Sequence, residues 1–288
     1  MEKNFKKIVL VLFVLWVIIG TLFDLQINSY VEGALPIFGR FFEIFGEVPV
    51  FLITVLSTAI LAATRNKEKK ISSVLQLIGF STYGLLNSIL GGILIAGYIA
   101  KDGTTGDSHG SVGPISIVLA IIFGITIYVV CYFLAQKISK NNITYYRRIA
   151  YLGLLFTFLA IFVTNIIKII WGRPRYWSVI LGTSEFVPWY QISGPAPSNE
   201  FKSFPSGHAA NAFTFIWFSL LAYRNTSLVS KIYIAGVLWG LCVASSRLFI
   251  LQHYMTDVVF SGIFIMVIFE ILLRAFKINK FKDDAPIL

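Results

Sequence analysis

The chain is short of charge, of cysteine and of histidine, and each shortage removes a class of protein. Charged residues make up 13% of its 288 positions, while 57% are hydrophobic. A soluble domain carries about 25% charged residues, so there is too little polar surface here to cover a water-soluble globule. Two cysteines, Cys131 and Cys242, each lie inside an apolar stretch. They read as small buried residues and imply no disulfide framework. Of the three histidines, His109 sits in a glycine-rich polar segment with Asp102 and Asp107. That setting reads as a solvated loop rather than a metal site. Acidic residues number 14 against 24 basic ones, a net charge of +10. Nucleic acid is one explanation for that excess. Collection of lysine and arginine in cytoplasmic loops is a better one, given the mean hydropathy of +0.78.

What the chain has in abundance is long apolar runs. A spanning helix takes about 20 mostly apolar residues, and eight stretches qualify: roughly 8–27, 48–64, 73–99, 114–136, 149–171, 207–223, 232–250 and 256–274. The expected fold class is therefore all-α, a polytopic transmembrane helix bundle of about eight spans. The sixth stretch is the weakest, because its apolar part is short and the polar motif before it must complete the span. The first follows a basic N-terminus, as a signal peptide would, but lacks a small-residue cleavage site and reads as a retained helix. Residues 35–47 mix aromatic and charged side chains and suit an interfacial helix. The segment 172–206 is too long for a bare connector and is expected to cover something.

Charge placement tests the count of eight. Lys3, Lys6 and Lys7 precede the first span. Arg65, Lys67, Lys69 and Lys70, then Lys137, Lys140, Arg147 and Arg148, then Arg224 and Lys231 fill alternate connections. Arg274, Lys277, Lys280 and Lys282 follow the last span. Seventeen of the 24 basic residues thus share one side, and the positive-inside rule makes that side cytoplasmic, with both termini on it. The seven others are Arg40, Lys101, Lys168, Arg173, Arg175, Lys202 and Arg247, all expected outside.

Three short clusters on that outer side carry the chemistry: Lys168 with Arg173 and Arg175, then Pro205-Ser206-Gly207-His208, then Ser246-Arg247 with His253 and Asp257. A phosphate ester bears negative charge on its free oxygens and develops more on the leaving oxygen. Its hydrolysis needs fixed cations, an in-line nucleophile and an acid. Lys168 and Arg175 supply an ammonium and a guanidinium fork; the plain alternative is two cations snorkelling to headgroups. Pro205 to His208 opens a helix, where free N–H groups favour an anion. Ser206 can add a hydroxyl, Gly207 lets the anion approach the backbone, and His208 can protonate a leaving alkoxide. The plain alternative is a helix cap with an interfacial histidine. His253 and Asp257 are four apart and share a helix face, so the carboxylate can fix the ring tautomer and leave the other nitrogen to attack. A structural His–Asp pair is the plain alternative. Three such alternatives coinciding on one side of one membrane is the less economical account.

The pattern Lys-x6-Arg, Pro-Ser-Gly-His, Ser-Arg-x5-His-x3-Asp resembles the type 2 phosphatidic acid phosphatase superfamily, whose integral membrane lipid phosphatases share their site with vanadium haloperoxidases. The resemblance covers about the C-terminal half. The second and third motifs match fully. In the first, Tyr176 follows Arg175 where the family usually has proline, and Pro174 precedes it, so Arg173 is a second candidate for the motif arginine. The resemblance implies His253 as the nucleophile that becomes a phosphohistidine, Asp257 as its orienting partner and His208 as the general acid. It implies Lys168, Arg175, Arg247, Ser206 and the Gly207 amide as holders of the phosphoryl oxygens. No metal and no cofactor is implied. The family core has three helices before the second motif, and five precede it here. Residues 1–70 are therefore expected to form an N-terminal transmembrane extension, and 71–288 the phosphatase core.

The expected function is hydrolysis of a lipid phosphate or a polyprenyl diphosphate, such as undecaprenyl diphosphate, at the outer leaflet of a cell membrane. The partners are the lipid bilayer and that substrate, with no nucleic acid. Related readings are a lipid phosphotransferase and a phosphatase of soluble sugar phosphates. From another class comes a transporter, but transporters place charges near the bilayer midplane, and here they sit at helix ends. Glu43 and Glu47 read as capping or exposed residues in preference to headgroup contacts. Phe41, Phe42, Phe45, Trp177 and Trp189 are expected to flank a lateral opening at headgroup depth.

Overall fold

The computed structural model describes residues 2–68, 70–101, 110–222 and 225–278. His109, Asp102, Asp107, Lys69, Arg224, Lys280 and Lys282 lie outside the described residues. Among the described residues there are helices and no strands. The ten α-helices are α1 (Glu2–Val31), α2 (Pro36–Phe45), α3 (Val48–Ala63), α4 (Lys70–Ile99), α5 (Pro114–Gln136), α6 (Ile143–Trp171), α7 (Tyr176–Ile180), α8 (Gly207–Phe213), α9 (Thr226–Phe249) and α10 (Met255–Ala275).

Seven stretches among the described residues are long and apolar enough to cross a membrane. They contain α1, α2 with α3, α4, α5, α6, α9 and α10, so seven of the eight expected spans appear as such. The sixth differs. Residues 207–222 form the seven-residue α8 and then a nine-residue 3₁₀ helix, Thr214–Ala222. A 3₁₀ helix rises about 2.0 Å per residue against about 1.5 Å for an α-helix, so the pair reaches about 28 Å. Sixteen residues thus come close to the ~30 Å hydrocarbon thickness that normally takes 20. The segment also needs no lipid-facing stripe, because Ala209, Ala210, Phe213, Ile216, Trp217 and Leu220 are all buried. It is the axis of the bundle.

Around this axis pack α3, α6, α9 and α10, with Ile53, Phe156, Val237 and Phe269 meeting Phe213 and Trp217 in one core. α9 comes close enough to α8 that the ring of Phe213 occupies the place a side chain at Gly240 would need. On the flank, a Cβ at Gly124 of α5 would lie 2.8 Å from Ile89 Cγ1 of α4. Small residues allow such approach where lipid gives helices no hydrophobic drive to associate. α1 and α3 share one core with α6, α8, α9 and α10. α1 bends at Phe23 (φ −134°, ψ 19°), and the turns after the bend carry the buried Asp24 and Asn28 against α10.

The segment 35–47 holds the short helix α2, which packs on α9 through Phe42, Val243 and Trp239. The segment 172–206 holds α7 and a 3₁₀ turn, Asn199–Phe201, laid across the ends of the long helices. Trp189 and Trp177 fasten it down. Trp189 stacks on Phe204, packs at a tilt against Phe260 and donates to Thr21 Oγ1 at 2.8 Å. Trp177 packs beside Tyr176, Leu251 and Tyr254. Both tryptophans therefore anchor the loop, whereas Phe41 and Phe45 stay partly exposed beside an apolar groove with Val48, Leu52 and Trp239.

Candidate active site

Local sequence explains where each functional side chain stands. α6 ends at Gly172, which takes the left-handed φ of +63° open to glycine, so Lys168 lies in the last turn and Arg173 and Arg175 lie just past it. Ser206 is the N-cap of α8, its hydroxyl accepting from Ala209 N–H at 3.4 Å. α9 ends just after Arg247, whose carbonyl accepts from Gln252 and His253 N–H at 3.1 and 3.3 Å, folding the chain back through Leu251 at φ +62°. Asp257 is the third residue of α10 and reaches back to the Tyr254 N–H at 2.9 Å, half of a capping box.

These ends converge on a pocket of about 300 Å³ at one end of the bundle. Lys168, Arg175, Gly207, His208, Arg247 and His253 line it, although up to 85 residues separate them. Gly207 has open space but for Lys168, whose Nζ would lie 3.4 Å from a Cβ there. Arg175 donates to the Asn199 carbonyl at 3.1 Å and to Gln252 Oε1 at 3.0 Å, and its Nη1 is 3.4 Å from His253 Nε2. Arg247 is buried with Nε and Nη1 unpartnered. A buried guanidinium with two idle donors is costly unless something anionic completes it. The remaining basic residues of this end gather here too. Lys101 and Lys202 line the pocket, and Arg40 bridges Glu43 to the Lys101 carbonyl.

His253 Nδ1 faces Asp257 Oδ2 at 3.5 Å, leaving Nε2 toward Arg175. Burial first, and then the Arg175 and Lys168 cations, push the His253 imidazole well below the ordinary histidine value, against the opposing pull of Asp257. The ring is accordingly held neutral, with a lone pair to offer. Asn28 of α1 fixes the loop from behind, donating to the His253 carbonyl at 2.8 Å.

Two expected phosphate holders point elsewhere. Ser206 is fully buried and spent on capping, with its N–H on the Asp257 carbonyl at 3.1 Å, and it does not line the pocket. Arg173 turns away from the pocket. It donates to Asp257 Oδ1 at 2.6 Å, Asp24 Oδ2 at 2.9 Å and Thr256 Oγ1 at 2.9 Å. Asp257 thereby accepts from Arg173, Tyr254 and, at 2.6 Å, Ser203 Oγ. Of the two candidates in the first cluster, Arg175 is the one in the pocket.

Several site residues escaped the sequence reading. Glu43 is 1% exposed and pairs with Lys101 at 3.0 Å and Arg40 at 2.6 Å. Glu47 stands at the N-cap of α3 without capping it; its carboxylate enters the pocket instead. Asp24 and Asn28, polar residues four apart in an apolar helix, are the signal that could have been followed, because polar groups inside a span are costly and rarely idle. Among the described residues no three His, Cys, Asp or Glu side chains come together as metal ligands would.

Residues 149–281 match the family model of the PAP2 superfamily. A lipid A 4′-phosphatase of Francisella tularensis subsp. novicida (strain U112) is 34% identical over 134 residues, which is 45% of this chain and 59% of that relative. The chain thus spans about three-fifths of the length of the curated relative it matches. No solved structure matches the chain. All three clusters fall inside the stretch that matches the PAP2 superfamily model.

Proposed function

We propose that the protein is a membrane-embedded phosphatase that hydrolyses a lipid phosphate or polyprenyl diphosphate at the outer leaflet through a phosphohistidine on His253. The observation that carries this is the convergence of Lys168, Arg175 and Arg247 around the open face of Gly207, with His253 and His208 both lining the same 300 Å³. Three cations neutralise the phosphoryl oxygens. The neutral His253 attacks phosphorus through Nε2 while Asp257 takes up the charge growing at Nδ1. His208 gives a proton to the departing oxygen. Water then attacks the phosphohistidine, and phosphate leaves.

A lipid source is supported by what adjoins the pocket. An apolar groove of about 470 Å³ between α3, α4 and α5 is lined by Val48, Ile99 and Ala100, the chain neighbours of the pocket residues Glu47, Tyr98 and Lys101. A headgroup in the pocket could keep its tails in that groove, avoiding about 0.8 kcal/mol per CH₂ exposed to water. The amides of Asn165, Asn199, Asn211 and Gln252 also line the pocket and suit a headgroup that carries hydroxyls. Phosphate release should be measured for phosphatidic acid, phosphatidylglycerol phosphate, undecaprenyl diphosphate, a phosphorylated glycolipid and glucose 6-phosphate, with a His253 variant as control. A higher kcat/KM on the soluble sugar phosphate than on any lipid would replace the lipid reading.

Three measurable consequences follow from the pocket. Activity should survive EDTA and be inhibited by vanadate, which can adopt the five-coordinate geometry of the reacting phosphorus. Complete loss in EDTA with recovery in magnesium would refute the three-cation mechanism. Secondly, His253 stays neutral well below its ordinary 6.5, so the acid limb of the kcat/KM profile should lie below pH 6.5. A limb above that value would mean that the imidazole is not so held. Thirdly, we place both termini in the cytoplasm and the pocket outside, on the strength of the 17 basic residues. A membrane-impermeant thiol reagent applied from outside should label a cysteine put at residue 112 and spare one at residue 67. The reverse pattern would move the active site to the other leaflet.

A further inference from the structure

We propose that Glu47 is the positioning residue for His208, a carboxylate brought from outside the matched family segment to hold the acid's ring and proton. This rests on the phosphatase reading and supplies a part that the three clusters do not contain.

The geometry is specific to the α2–α3 junction. Glu47 Oε1 accepts from Asn211 Nδ2 at 2.7 Å, and Asn211 follows His208 by three residues on α8, so the two side chains share a face. Glu47 Oε2 accepts from the Tyr98 hydroxyl at 3.3 Å and lies 3.7 Å from His208 Nε2. That nitrogen is buried and has no hydrogen-bond partner. The edge of the Tyr98 ring packs on the imidazole, with centroids 5.2 Å apart at 68°. A shift of under about 1 Å would bring carboxylate and nitrogen to charge-assisted hydrogen-bond distance.

The charges around His208 give this contact its purpose. Lys168 of α6, Arg175 and His253 of the loops and Arg247 of α9 line the same pocket. All but His253 are fixed cations, and a cationic pocket that suits phosphate opposes a proton on a nearby imidazole. A general acid must nevertheless carry one. Of the two carboxylates in the pocket, Glu43 is taken by Arg40 and Lys101, and Glu47 is the one turned to His208. With Nε2–H held by Glu47, the proton on the other ring nitrogen passes to the leaving oxygen. The P–O bond breaks with its electron pair staying on that oxygen, and His208 is left neutral. Water entering in the second step returns a proton to it. The logic is that of His253 and Asp257: one ring nitrogen for the carboxylate, one for the reaction.

Glu47→Gln keeps the size of the side chain and a carbonyl oxygen for Asn211. It is expected to lower kcat on dodecyl phosphate by about 10- to 100-fold, while kcat on 4-nitrophenyl phosphate, whose leaving group needs no proton, falls less than about 3-fold. KM should change little, and the alkaline limb of the kcat profile should move to lower pH. Glu47→Asp, which keeps the charge, should recover part of the loss. Vanadate should still raise the melting temperature of Glu47→Gln as it does that of the unaltered protein, reporting an intact phosphate pocket. Equal losses on the two esters, an unmoved alkaline limb or a lost vanadate shift would each overturn the assignment to Glu47 alone. An unaltered protein that releases phosphate from no ester would instead overturn the phosphatase reading, and this one with it.

Discussion

His253→Gln is expected to abolish phosphoenzyme formation on every substrate and to lower kcat by more than about 10³-fold, the scale on which loss of a nucleophile is felt. The reason is positional. His253 Nε2 is the ring nitrogen on the cation side of the pocket, 3.4 Å from Arg175, while Nδ1 is turned to Asp257. A glutamine amide occupies similar space and offers no comparable lone pair. His208→Gln should behave differently. Loss of this proposed proton donor should cost about 10²–10⁴-fold where the leaving group is a poor one, and much less where the leaving oxygen departs unaided. Rapid-quench trapping of labelled phosphoenzyme, with kcat on an alkyl and on a nitrophenyl ester, separates the two. Equal sensitivity of the two variants to leaving group would remove the assigned roles.

The sequence made the ends of the helices legible because it places charge there. Positive residues fill alternate connections, apolar runs have the length of a bilayer, and Pro-Ser-Gly-His has the grammar of a helix start. The pocket residues Lys168, Gly207, His208, Arg247 and His253 stand at or beside those ends. The direction of side chains in irregular backbone is not legible in this way. Arg173 and Arg175 lie two apart in the turn after Gly172, where no helical or strand period applies, so nothing local says which one meets the pocket. Ser206 could have been a ligand or a cap, and only the Ala209 N–H shows that its oxygen is taken. The contributions of α1 and of the α2–α3 junction were the least legible. Asp24 stands 149 residues from Arg173, and Glu47 stands 164 from Asn211. A contact at such separation is set by how helices pack. The 3₁₀ form of residues 214–222 was hidden for a related reason, since burial on all sides leaves no amphipathic period to read.

Arg173→Ala is expected to destabilise the folded protein by about 3–5 kcal/mol, the cost of breaking a buried ion pair from one side. Arg173 is 0% exposed and lies between two carboxylates that are themselves buried, Asp24 and Asp257. Its Nε also donates to the Val187 carbonyl at 2.8 Å, and its guanidinium stacks 4.1 Å from the centroid of the Tyr254 ring. Truncation leaves two like charges facing one another without water, a carbonyl without a donor and a void beside an aromatic ring. Arg173→Lys should recover little, because a single ammonium cannot span Asp24, Asp257, Thr256 and Val187 as a planar fork does. Asp24→Asn is milder, about 1–2 kcal/mol, since the Arg173–Asp257 pair survives and the amide oxygen can still accept from the Thr256 N–H, which Asp24 now takes at 3.0 Å. The readouts are thermal unfolding in detergent and the kinetics of the protein that remains folded. Because Arg173 touches Asp257 and not the pocket, KM for the surviving fraction should hold while kcat falls as the His253–Asp257 pair loosens. An Arg173→Ala protein that melts normally but binds substrate or vanadate many-fold more weakly would mean that Arg173 grips the phosphate after all.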